Sequence, residues 1–205
     1  MESHHTALIL IGFQNEYFSP KGALYGFLAG SQQVLANTID LLESLRTTPT
    51  LIVDTPIFFT PDYSELVDPT GVLKLIKELG AFKAGTRGSE TLPEIRRFGE
   101  RIVEVPGKRG LNAFSNTDLD DLLKRSGITS VVLAGCKTSL CIDSTGRFAY
   151  DKGYKVLILS DCTAGTDDFE QKFYCEKIFP LYADVIDHRQ FFAQLDLRHD
   201  AVRQQ

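Results

Sequence analysis

Short runs of continuous Val, Ile and Leu alternate along the chain with longer stretches in which apolar residues recur at helical spacing. The runs cover Ala7–Ile11, Thr50–Asp54, Arg101–Val105, Ser130–Ala134, Lys155–Leu159 and Asp184–Ile186. Strands covered on both faces read this way, whereas half-exposed strands alternate. Between the runs the spacing predicts helices. Ser31–Arg46 carries Val34, Leu35, Thr38, Ile39, Leu42 and Leu45 on one stripe, with Pro49 soon after. Thr70–Leu79 stops at Gly80, Thr117–Arg125 before Gly127, Ser139–Lys152 at Gly153, and Asp168–Phe179 before Pro180. Repeated strand–helix–strand units predict one α/β domain over residues 1–205, with a mainly parallel six-stranded sheet and helices on both faces. Residues 1–5 are expected to be disordered and 196–205 to form a C-terminal tail. Phe58–Glu65 and Phe82–Arg97 fit neither period and are expected to make a lid or an oligomer contact.

Composition narrows the function. Of 205 residues, 43% are apolar and 24% charged, enough for a sizeable core without disulfides. The net charge of −5, with Lys and Arg scattered, argues against a nucleic-acid partner. No apolar run approaches the ~20 residues that span a bilayer, and Met1–His5 lacks the basic and apolar regions of a secretion signal. No membrane partner is expected. Cys136, Cys141, Cys162 and Cys175 form no CxxC pair, so reduced thiols and a cytoplasmic location are expected.

In open parallel sheets, ligands bind beyond the carboxyl ends of the strands. Gly12–Glu16 follows the first run, Asp54-Thr55-Pro56 the second, Pro106–Arg109 the third, Gly135–Cys141 the fourth and Ser160–Thr163 the fifth. Among these residues Cys141 stands out, because a helix beginning near Ser139 would place its sulfur at the positive end of the helix dipole. Such a position favours the nucleophilic thiolate, and the free N–H groups beside it suit a developing oxyanion. The bland alternative is an inert core thiol, the usual fate of free cysteine.

Four segments in order carry a resemblance. They are Ala7–Phe18, with Gly12-Phe13-Gln14-Asn15-Glu16; Lys108–Phe114 with Thr117-Asp118-Leu119; Gly135–Ile142 with Ser144, Thr145 and Ala149; and Ser160–Ala164. Together they resemble the isochorismatase-like cysteine hydrolases, a family that includes nicotinamidases and carbamoyl-amide and ureidoacrylate hydrolases. The resemblance implies a single-domain, Rossmann-like three-layer αβα sandwich. It implies Cys141 as nucleophile and Lys108 as the cation that favours its thiolate. The Cys136–Lys137 peptide corresponds to the family's cis bond, and the backbone N–H groups of Lys137 and Cys141 to its oxyanion hole. A homo-oligomer, dimer or tetramer, is expected by resemblance alone.

The chain departs from the pattern at one decisive place, for Gly12 stands where the family's triad carries an aspartate. Glu16, Asp54 and Asp161 are the nearby acids that would substitute; alternatively Lys108 acts as base alone. Glu16 also reads as a helix-start or surface acid, and Asp161 as the cap of a turn. The metal-bearing branch carries histidines after its second strand. Here Asp54–Thr60 has none, and His4, His5, His188 and His199 lie elsewhere. No metal, no cofactor and no nicotinamidase activity of the usual kind are expected. Phe13, Tyr17, Phe18, Tyr25, Phe27, Phe58 and Phe59 are candidates for pocket walls, though aromatics are more often core.

Three functions remain in view. The first is a metal-independent cysteine hydrolase of small amide, imide or carbamoyl C–N bonds, through a Cys141 thioester. A vinyl-ether hydrolase fits less well, since that chemistry leans on the carboxylate replaced by Gly12. The second is a catalytically impaired relative serving as small-molecule binder or assembly subunit. The third is a thiol-redox protein pairing Cys141 with Cys136 or Cys162.

Overall fold

Six strands form one parallel sheet in a computed structural model that describes residues 1–195: β1 (Thr6–Ile11), β2 (Leu51–Thr55), β3 (Val103–Glu104), β4 (Ser130–Cys136), β5 (Lys155–Ala164) and β6 (Asp184–Ile186). Their order is β3-β2-β1-β4-β5-β6, every neighbouring pair parallel. The period-two geometry of a strand sends Leu8 and Leu10 into one core, and Ala7, Ile9 and Ile11 into the other. Both faces are covered, which is why β1 reads as unbroken hydrophobic sequence. The first face packs α1 (Asn15–Phe18), α2 (Ser31–Ser44), α3 (Gly71–Leu79), α4 (Pro93–Arg96) and α8 (His188–Gln194). The second packs α5 (Leu119–Arg125), α6 (Asp143–Asp151) and the segment after α7 (Asp168–Phe173). The expected three-layer α/β sandwich is the fold.

The differences from expectation are local. The third predicted strand shrinks to two residues, because it is an edge strand that finds a partner only in β2. The predicted Asp168–Phe179 helix gives way to a π turn at Tyr174–Ile178 and a 3-10 turn at Phe179–Leu181, where Pro180 has no N–H to donate. Helix α8 is seven residues long, too short to show a clear helical period, yet Asp187 and Gln190 close a capping box at its start.

Residues 1–5, expected to be disordered, instead carry a 3-10 turn with Ser3 buried, and the Met1 amino group bonds the Gln194 carbonyl, 2.9 Å. The expected 196–205 tail lies outside the described residues. Phe82–Arg97 is not a lid either, because Phe82, Leu92 and Ile95 are core. Its backbone is stapled inward, with Asn15 Nδ2 donating to the carbonyls of Arg87 and Glu90 (2.9 and 3.2 Å) and Gln14 Nε2 to that of Ser89 (2.6 Å).

Candidate active site

The strand order reverses between β1 and β4, and the chains leaving these two strands diverge to open a crevice. Gly12 leaves β1 with φ +72°, and β4 runs into a cis peptide between Cys136 and Lys137. A π turn over Thr138–Ile142 then leads into α6 and carries Cys141. Lys108 comes from the third direction. Its loop is tied to the segment after β2 by the Phe58 N–H, which donates to the Lys108 carbonyl at 3.2 Å.

The two candidates meet here. Lys108 Nζ lies 3.7 Å from Cys141 Sγ and donates to the Gly110 carbonyl at 2.6 Å. Lys108 is 2% exposed and Cys141 8%. A lysine buried this deeply requires partners, and the carbonyl and the sulfur are what the fold provides.

Around the pair lies a pocket lined by Gly12, Tyr17, Ile57, Cys136 and Leu111, with Leu140 beside Cys141 and Val72, Leu73 and Ile76 of α3 across the top. The free space is ≈ 10 Å³, about one water molecule. Of the seven aromatic candidates only Tyr17 is in the lining. Phe13, Phe18 and Phe59 are core, Tyr25 and Phe27 are exposed, and Phe58 is half-buried outside the lining.

None of the three substitute acids lines this pocket among the described residues. Glu16 is buried, but Oε2 accepts the Ala23 N–H (2.7 Å) and Oε1 that of Phe82 (3.2 Å), so it braces loops. Asp54 faces a separate cavity with Thr91, Arg96 and Glu104. Its Oδ2 accepts the Thr91 hydroxyl at 2.6 Å, and burial pushes its carboxyl up to about 7. Asp161 binds His188 twice, through the backbone N–H (2.9 Å) and Nδ1 (2.5 Å). Metal-ligating types do gather there, with Asp161, Cys162 and His188 close together. The two ring nitrogens of His188 are already occupied, Nδ1 lying 2.5 Å from Asp161 Oδ2 and Nε2 3.2 Å from Asp40 Oδ2.

The space beside Gly12 is sterically defined. A Cβ there would sit 2.9 Å from the Cys136 carbonyl oxygen and 3.0 Å from its Sγ. The Cys136 thiol instead donates to the Gly12 carbonyl, 3.3 Å, and burial pushes that thiol well up, so it stays protonated.

Other motif residues hold the frame. Gln14 bridges the Ile57 peptide with both ends of its amide, 3.0 Å each. Lys137 turns its Nζ to Glu170 Oε2, 3.0 Å, and Glu170 also accepts the N–H groups of Ser139 and Thr166. Against the cost of burial, these bonds hold the Glu170 carboxyl below its usual range. Ile57, Val72, Leu73, Ile76, Leu111 and Leu140 carry no local sign of a pocket role in the sequence. The α3 stripe was legible as apolar, but nothing local tells what an apolar stripe covers.

The Isochorismatase domain model matches residues 6–190. Over 161 residues, 78% of each chain, the protein is 30% identical to the isochorismatase family protein YddQ of Bacillus subtilis (strain 168). It is 28% identical over 192 residues to maleamate amidohydrolase of Pseudomonas putida, covering 92% of this chain and 86% of that protein. A cysteine hydrolase from Pseudomonas syringae pv. phaseolicola superposes with a TM-score of 0.84 at 20% identity, over 94% of this chain and 93% of the other. With six parallel strands in this order and a family match running from the first strand to the last helix, the chain belongs to the isochorismatase family.

Proposed function

We propose that the protein is a metal-independent cysteine hydrolase that cleaves a small amide, imide or carbamoyl C–N bond. The observation that carries this reading is the buried contact between Lys108 Nζ and Cys141 Sγ at the floor of a pocket. An ammonium beside a thiol favours the thiolate, which is the attacking species. Cys141 Sγ attacks the carbonyl carbon while the backbone N–H groups of Lys137 and Cys141 hold the oxyanion. As the C–N bond breaks, the Lys108 ammonium gives its proton to the departing nitrogen, leaving a neutral amine and a thioester. Water then attacks the thioester, Lys108 takes the water's proton, and the acid leaves with thiolate and ammonium restored. Lysine thus does in two directions what a carboxylate would otherwise share. The loop after β2 presents Ile57 rather than imidazoles to the pocket, in keeping with a reaction that uses no metal there.

A second reading, an impaired relative that binds without turnover, is favoured by the absence of a carboxylate from the pocket lining among the described residues. Intact mass and ammonia release with an amide panel separate the two. The hydrolase reading expects an acyl adduct lost in Cys141→Ala, and ammonia release slowed by about 10²-fold or more in Lys108→Ala. Neither adduct nor ammonia from the wild type would leave the binder.

A further inference from the structure

Only four pocket-lining side chains bear a polar atom: Tyr17, Lys108, Cys136 and Cys141. Lys108 is engaged by the Gly110 carbonyl and Cys141, and the Cys136 thiol by the Gly12 carbonyl. Tyr17 is different. It is buried with its ring against Phe82, centroids 5.3 Å apart, and its hydroxyl has no hydrogen-bond partner among the described residues. The hydroxyl is not among the fully buried atoms left without a partner, so it keeps some solvent access and a ligand acceptor would take the place of water there.

The remaining lining is aliphatic: Ile57, Val72, Leu73, Ile76, Leu111 and Leu140. A ligand carboxylate placed among them would lose its hydration, and Lys108, the cation of this lining among the described residues, is already engaged by the Gly110 carbonyl and Cys141. The next candidate, Arg109, turns away and pairs with Glu65. We propose that the pocket selects a small uncharged amide with an apolar acyl chain, and that the Tyr17 hydroxyl donates the hydrogen bond that orients its polar end. The proposal takes the position of the reacting carbonyl from the cysteine-hydrolase reading, but it does not depend on turnover. Burial pushes ionisation of Tyr17 far upward, so its hydroxyl keeps its proton and acts as a donor.

The test is protection of Cys141 from iodoacetamide by valeramide or by succinamate, amides of similar length ending in a methyl group or a carboxylate. Protection is normalised to each protein's own unprotected rate, in wild type and Tyr17→Phe. In the wild type, valeramide is expected to protect at concentrations at least about tenfold below those succinamate needs. Tyr17→Phe is expected to weaken valeramide protection about three- to tenfold, the worth of one neutral hydrogen bond. Succinamate protecting as well as valeramide would overturn the proposal, as would protection indifferent to Tyr17→Phe. Ammonia measured in the same samples separates this inference from the catalytic reading. Selective protection without ammonia sinks the hydrolase and leaves the selectivity standing; ammonia from succinamate at the rate seen with valeramide sinks the selectivity alone.

Discussion

Asp54 is a carboxylate in an unfavourable place. It is 3% exposed, Oδ1 has no partner, and burial raises it from 3.8 to about 7 despite the Thr91 hydrogen bond. Because the folded value lies above the unfolded one, the folded chain keeps a proton between about pH 4 and 7 that the unfolded chain has lost. Stability therefore falls as pH rises through that window, by on the order of 4 kcal/mol at most, and the penalty is complete above it. Asp54→Asn keeps an acceptor for Thr91 and removes the charge. Urea unfolding at pH 5 and pH 8 is expected to show the wild type losing stability at the higher pH and the variant nearly level; equal slopes would contradict the assignment. At this scale Cys141 and Lys108 were legible because their flanking residues form a pattern. The roles of Glu16, Asp54 and Asp161 were not, since each depends on a partner 7 to 66 residues away that no local signal names.

Among the elements, α3 is the one that closes the site. It is nine residues long, only Ile76 is buried, and glycines with φ of +54° and +68° stand at its two ends. Those are conformations glycine adopts without the Cβ penalty. Val72, Leu73 and Ile76 close a pocket whose free space is ≈ 10 Å³, so a bound amide is expected to displace part of the lining, and α3, with Ile76 alone buried, is the element expected to give. Hydrogen exchange is expected to show amides of Gly71–Leu79 exchanging at least about 100-fold faster than those of β1 and β4, as befits a segment with few buried contacts. Protection equal to that of β4 would mean that ligands enter elsewhere. The helix itself was predictable from its apolar spacing and Gly80; its position over Cys141 was not, because any hydrophobic surface satisfies an apolar stripe.

For the whole molecule the crevice depends on how closely β1 and β4 approach where their order reverses. At Gly135 a Cβ would lie 1.8 Å from the Ile11 carbonyl oxygen, and φ is +124°. No side-chain rearrangement relieves that contact, because both partners are backbone in the central strand pair. Gly135→Ala is expected to cost several kcal/mol, on the order of the tail of single-substitution effects, read as loss of the cooperative thermal transition or a large fall in its midpoint. A near-normal midpoint would show that β1 and β4 can separate without losing the fold.

Unbroken apolar runs bounded by glycine and proline determined the strands, the helices between them and hence the parallel sheet, because a strand covered on both faces has no alternative pattern. Position at a strand end singled out Cys141, and the family resemblance of its flanking segment singled out Lys108. Tertiary structure alone decided that Lys108 and Cys141 touch, that none of Glu16, Asp54 and Asp161 lines their pocket, and that α3 and Tyr17 line it beside the pair. Those outcomes rest on contacts between segments far apart in the chain, where burial and hydrogen-bond satisfaction over the whole molecule select one partner from many that local sequence permits equally.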